Sequence, residues 1–183
     1  MKGFRLRRKR APAMRSLGKR FVSSFTSHGR VANKRYKLAE TLNKKLSDAV
    51  LEYIKLPNGD KRQITLATKI KKVIDFEIEK AFGLDLSECN SLFNDLLARK
   101  EVRISSRKAM HLIEKLEKTS ASFTEMNRIW EEQIAKMPRE TPNYLEEHKK
   151  IREIRHKFGV RAFDLNDLFF GLAEKLRKRF NVK

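Results

Sequence analysis

The side chains in this sequence with the most chemistry to offer are its cations. Residues 1–37 hold 13 Lys plus Arg and no Asp or Glu, the first acid being Glu40. Of a formal net charge of +20, this stretch carries +13 and the other 146 residues +7. Charge of that kind governs association and not fold. It calls for a polyanion: nucleic acid, an anionic membrane surface or an acidic protein partner. Phosphate backbones are the commonest, because each phosphate neutralised releases condensed counterions. Arg5, Arg7, Arg8, Lys9, Arg10, Arg15, Lys19 and Arg20 are the residues that would supply the charge, with Phe4 or Tyr36 available to stack on a base.

The same arm has other readings. Met14, Leu17, Phe21 and Phe25 recur at helical spacing, with Arg15, Lys19 and Arg20 elsewhere around the helix. A basic amphipathic helix suits an anionic membrane interface, and an acid-free, Arg- and Ser-containing start suits an organelle transit peptide. The run RLRRKR is also compatible with nuclear import. A solvated tail without a specific partner is the plainest alternative.

A second group of cations sits in LFNDLLARKEVRISSRKAMHLIEKL, residues 92–116. Here a helix, a connection and a second helix follow one another, with Ser105, Ser106, Arg107 and Lys108 at the start of the second. A helix-turn-helix reader needs that order, because the first residues of its second helix reach base edges and phosphates. The connection lacks the usual turn glycine, and any helical bundle supplies such pairs. Arg103, Arg107 and Lys108 are the best phosphate-binding candidates outside the arm. The basic end KLRKRFNVK favours the dipole of a last helical turn and can add phosphate contacts.

An overlapping stretch, RQITLATK…IEKAFGLDLSECNSLF, resembles a ribbon-helix-helix protein: a short alternating strand, a helix, a glycine turn and a second helix. The resemblance covers about 35 residues. It implies a dimer that reads the major groove with paired strands, with Gln63, Thr65 and Ala67 facing DNA and Ile64 and Leu66 packed inward. The sequence departs from the pattern at Asn90 and Asn94, where the second helix should be apolar, and at Ala67, a poor base contact.

Catalytic patterns are thin. His28, His111, His148 and His156 are scattered, and EEHKKIREIRH lacks the histidine spacing of a zinc helix. There is no glycine-rich phosphate loop and no nucleophile elbow. Cys89 is alone, so no intramolecular disulfide and no cysteine-rich zinc site can form. No catalytic residue, metal ligand or cofactor is assigned. Acidic residues have structural explanations: Glu114–Lys118, Glu132–Lys136, Glu146–Lys150 and Glu174–Lys178 are i,i+4 pairs in the stabilising order. Lone-cysteine usage, and the lack of a secretory signal or of an apolar run of roughly 18–20 residues, point to a soluble intracellular protein, cytoplasmic or nucleoid/nuclear, with organelle targeting by the arm as an option.

Apolar spacing supplies the elements that position these groups. Leu38, Leu42, Leu46, Ala49 and Tyr53 mark one helix, and LPNGD (56–60) is a turn. Ala67, Ile70, Ile74, Ile78 and Phe82 mark a second helix, closed by Gly83. Asp85 or Ser87 caps a third and Ser105 or Ser106 a fourth. SFTE (122–125) reads as a capping box for a fifth. A sixth ends at Gly159, after the linker MPRETP, and the last is capped by Asp164. Residues 53–66 also alternate like a β-hairpin about Asn-Gly, but the stripe from Leu38 runs unbroken into Tyr53 and favours helix. Trp130 and Phe169–Phe170 read as core. The expectation is an all-α protein: a single helical domain of six or seven helices over residues 38–183, with a disordered or conditionally helical basic arm at 1–37. Its expected function is non-enzymatic nucleic-acid binding. The alternative is a helical protein-interaction or effector-type domain whose arm is a targeting or membrane-surface segment.

Overall fold

The computed structural model describes residues 14–140 and 142–181, with side chains described from residue 33 onward. Among the described residues the secondary structure is entirely helical. The helices are α1 (Met14–Lys55), α2 (Lys61–Phe82), α3 (Leu86–Leu97), α4 (Ser106–Ala135) and α5 (Tyr144–Phe180). Two units are distinguished, Met1–Lys34 and Arg35–Lys183. In the first the backbone is helical from Met14 on. The packing described below belongs to the second. None of the described helices is long and apolar enough to cross a membrane.

Among the described residues five helices replace the expected six or seven, because two expected breaks do not occur. SFTE is not a capping box. Ser122 is buried inside α4, where its hydroxyl donates to the Lys118 carbonyl at 2.8 Å and accepts from Arg35 Nε at 3.2 Å. A serine bonded back to the preceding turn is a helix-interior arrangement. The buried series Leu116, Phe123, Met126, Ile129 and Trp130 keeps one face inward across the expected break, and α4 contains neither glycine nor proline. Likewise Gly159 does not end a helix. It lies inside α5, where Ile154, Phe158, Ala162, Leu165 and Phe169 carry the buried stripe through it. Asp164 caps nothing; its carboxylate lies 3.6 Å from Arg161.

The other helix ends follow the local signals. Asp60 caps α2 by accepting from the Arg62 amide at 2.8 Å, and Gly83 closes it in the left-handed region at φ 62°. Residues 61–66 are therefore helical, which rules out both the hairpin and the ribbon-helix-helix strand. Gln63, Thr65 and Ala67 belong to α2, whose 3.6-residue stripe of Leu66, Ile70, Ile74 and Ile78 prevails over the short alternation. Asp85 caps α3 through the Glu88 amide at 2.8 Å.

The core centres on α4 and α5. Their antiparallel register is fixed by Ser120 donating to Asn166 at 2.6 Å, by Arg155 with Glu131 at 2.5 Å, and by Arg177 with Glu117. Phe123 meets Phe158, Phe169 and Phe82 at ring-centroid distances of 5.6, 6.1 and 6.3 Å, and Trp130 meets Phe158 at 4.9 Å. These are favourable edge and offset distances for aromatic pairs. Phe170, expected in the core beside Phe169, is instead 61% exposed, since one residue along a helix turns the side chain about 100° away. Helix α3 approaches α5 closely: a Cβ at Gly171 would stand 2.9 Å from Phe93 Cε2.

Polar pairs lock the remaining helices. Asn43 of α1 accepts from the Trp130 indole at 2.9 Å and donates to Gln133 at 3.0 Å. Arg161 of α5 grips Asp75 of α2 through two hydrogen bonds of 2.6 and 3.1 Å. Among the described residues no buried side-chain nitrogen or oxygen lacks a partner. On the surface, Glu114–Lys118 and Glu174–Lys178 form at 3.7 and 2.6 Å. The other two expected pairs do not form: Glu132 turns to Arg128 at 3.1 Å, Glu146 to Lys55 at 3.3 Å, and Lys150 to Glu147.

Candidate nucleic-acid interface

The corner between α3 and α4 is built by backbone hydrogen bonds that end α3 tightly. The Lys100 amide donates to the Asp95 carbonyl at 2.9 Å and the Arg99 amide to the Leu96 carbonyl at 3.3 Å. These are the paired closing bonds of a Schellman termination, which requires a left-handed residue at the first position beyond the cap. That residue is ordinarily glycine. Here it is Arg99, at φ 55°. The missing turn glycine in the sequence is thus replaced by an arginine, and the position was not legible as a site.

Beyond it the chain runs to Ser105, whose hydroxyl accepts from the Lys108 amide at 3.3 Å and opens α4. Because Ala109, Ile113 and Leu116 face the core, the first turn of α4 leaves Arg107 and Lys108 exposed. Arg103 is exposed in the connection. None of Arg99, Arg103, Arg107 and Lys108 has a carboxylate partner among the described residues. The amino end of α4 adds the positive end of a helix dipole and has no acid in its first turn. Residues 98–115 hold six Lys and Arg against two Glu.

An open groove of about 700 Å³ adjoins this corner. Leu84, Cys89, Ile104 and Leu112 line its apolar part, with Arg107, Lys108 and Lys115 on the α4 side. Asp85 and Glu88 contribute opposing acidic groups. An anion is therefore favoured on the α4 side. Lys115 is partly committed, donating to the Gly83 carbonyl at 2.5 Å. Burial pushes the Cys89 thiol up to about 11, so it is protonated near neutrality and is a poor nucleophile. Among the described residues no cluster of His, Cys, Asp and Glu could hold a metal ion.

Arg99 and Arg103 are exposed in the segment between α3 and α4, and Arg107 and Lys108 are exposed on the first turn of α4 that follows it. At the end of α5, Arg177 and Lys178 are taken up by Glu117 and Glu174, leaving Lys175 and Arg179. Arg5, Arg7, Arg8, Lys9 and Arg10 lie outside the described residues. Arg15, Lys19 and Arg20 fall on the described backbone of α1, in the other unit. Tyr36, suggested as a stacking platform, donates its hydroxyl to Glu132 at 3.0 Å. That bond and the Glu132 charge hold the phenol above its usual range. Compared with protein-family models, curated proteins and solved structures, the chain matches none.

Proposed function

We propose that the protein binds nucleic acid without catalysing a reaction on it, gripping the phosphate backbone with little base specificity. The observation that carries this reading is Arg99. Its left-handed backbone costs an L-residue roughly 1–2 kcal/mol that glycine avoids. A corner with only a turning role is better served by glycine, whereas an arginine there adds an exposed cation to the segment that carries Arg103 and leads into Arg107 and Lys108. The 13 cations of residues 1–37 supply a second, longer set of phosphate contacts. The lone buried Cys89 suits a reducing compartment, cytoplasm, nucleoid or nucleus.

The test is a salt series with the full chain and labelled single-stranded and duplex oligonucleotides. Contact with about six phosphates gives a slope of log K against log salt near −4 to −5. The triple variant Arg103→Ala, Arg107→Ala, Lys108→Ala flattens the duplex slope by roughly 2–3. Its thermal stability changes little, as exposed substitutions each move stability by less than about 0.5 kcal/mol. An unchanged slope removes the corner from the interface. Stronger binding to anionic liposomes than to either oligonucleotide at matched salt replaces this reading with a membrane or targeting role.

A further inference from the structure

A second groove, of about 580 Å³, is lined by α1 and α2 and shares no lining residue with the basic corner. Its surface is mainly apolar. Ile64 and Phe76 stand 72% and 57% exposed along it, and Val73 lies between them on the same helix. Ile64, Thr68, Lys72 and Phe76 follow one another at four-residue intervals, so they form one outward ridge of α2. Lys45 of α1 lies with its ammonium 5.5 Å from the Phe76 ring centroid and 2.5 Å from the buried Glu77 carboxylate. Its charge is thereby matched, and it supports the ring. Lys69 and Lys72 also line the groove, are exposed, and have no carboxylate partner among the described residues.

We propose that this groove docks an amphipathic helix from an acidic protein partner. Helix-in-groove recognition uses apolar anchors at i, i+4 and i+7. The distance from Ile64 to Phe76 is about 18 Å at 1.5 Å per residue, which spans about three turns of such a helix. Its anchors enter along Ile64, Val73 and Phe76, and carboxylates flanking them pair with Lys69 and Lys72. Charge selects this occupant over the alternatives. A second copy of the chain brings the same lysines and a net charge of +20, so like charges meet. A nucleic acid satisfies the lysines but sets phosphate and sugar against Ile64 and Val73. An acidic amphipathic helix matches both features.

The experiment uses the full chain and a fluorescent synthetic helix about four turns long, with Leu at the three anchor positions and Glu on both flanks. A scrambled peptide of the same composition and a version with Lys in place of Glu serve as comparisons. The Glu peptide is expected to bind at least about tenfold tighter than either. Phe76→Ala and Ile64→Ser each weaken it about tenfold, with unchanged circular dichroism and thermal midpoint. The double variant Lys69→Glu, Lys72→Glu lowers affinity for the Glu peptide and raises it for the Lys peptide. The proposal is overturned if the scrambled peptide binds equally, if no peptide binds, or if binding survives both apolar substitutions. Sedimentation showing self-association that Phe76→Ala abolishes would assign the groove to a second copy. Competition by a single-stranded oligonucleotide whose own binding needs Phe76 would assign it to nucleic acid.

Discussion

Replacing Arg99 with glycine separates what the α3–α4 corner does for the fold from what it does for a ligand. The residue sits at φ 55°, and no described hydrogen bond or ion pair engages its side chain. Relief of the left-handed strain is worth roughly 1–2 kcal/mol. Against this, glycine enlarges the conformational entropy of the unfolded chain, which costs about 0.5–1 kcal/mol. The net expectation for Arg99→Gly is a gain of about 0.5–1 kcal/mol, or a rise of a few degrees in Tm for a chain of this size. Removing one phosphate contact should lower the magnitude of the duplex salt slope by about 0.9. Stability and affinity therefore move in opposite directions. Chemical denaturation and fluorescence anisotropy across a salt series measure the two. A destabilised variant would show that the Arg99 side chain supports the fold, and an unchanged slope would show that it touches no phosphate. Either result refutes the argument from this residue.

Further outcomes test the architecture. Gly159→Ala should stabilise the protein by about 0.5–1 kcal/mol, because the position is helical and nothing lies within 4 Å of an added Cβ. Gly83→Ala, at φ 62°, should destabilise it by about 1 kcal/mol; denaturant melts of the two variants must differ in sign. Asn43→Ala leaves the fully buried Trp130 indole without its acceptor and should cost about 1–3 kcal/mol in the same melts. Cys89 should resist thiol reagents at neutral pH until the protein unfolds. Its folded pKa is raised from 9.0 to about 11, so its share of stability is present below about pH 9 and is lost as pH rises toward 11. A melt series over that range checks it.

Most of the fold was legible because helix periodicity is a local signal. The stripes from Leu38, Ile70, Ala109 and Ile154, and the caps at Asp85, Ser105 and Gly83, all lie within a turn or two of the residues they organise. What failed was the reading of interruptions. Ser122, Gly159 and Asp164 each carry a genuine end signal, and each is outweighed by packing that comes from elsewhere in the chain. Ser122 is held by Arg35, 87 residues away, and Asp164 shares Arg161 with Asp75. A cap is worth about 1 kcal/mol. Burying a large apolar side chain is worth about 1.5–3 kcal/mol. Where Phe123, Phe158 and Phe169 meet in one cluster, the continuous helices win.

The candidate site was legible as charge but not as arrangement. Sequence counts cations; only the structure separates those that hold the fold from those left over. Arg161, Arg155 and Arg177 each bind a carboxylate on another helix, Lys45 is matched by Glu77, and Lys115 donates to the Gly83 carbonyl. A cation so engaged can neutralise a phosphate only by giving up its partner, so its contribution to anion binding is reduced. Arg103, Arg107 and Lys108 lack such partners, and Arg99 joins them through a backbone conformation that its sequence neighbours do not announce. The same separation applies at the α1–α2 groove, where Lys45 of α1 is matched but Lys69 and Lys72 of α2 are not. The two unmatched groups differ in what surrounds them. At the corner they stand in an exposed connection and on the polar helix start that follows it, which suits a phosphate backbone. On α2 they flank exposed Ile64 and Phe76, which suits a partner that is itself part apolar and part acidic.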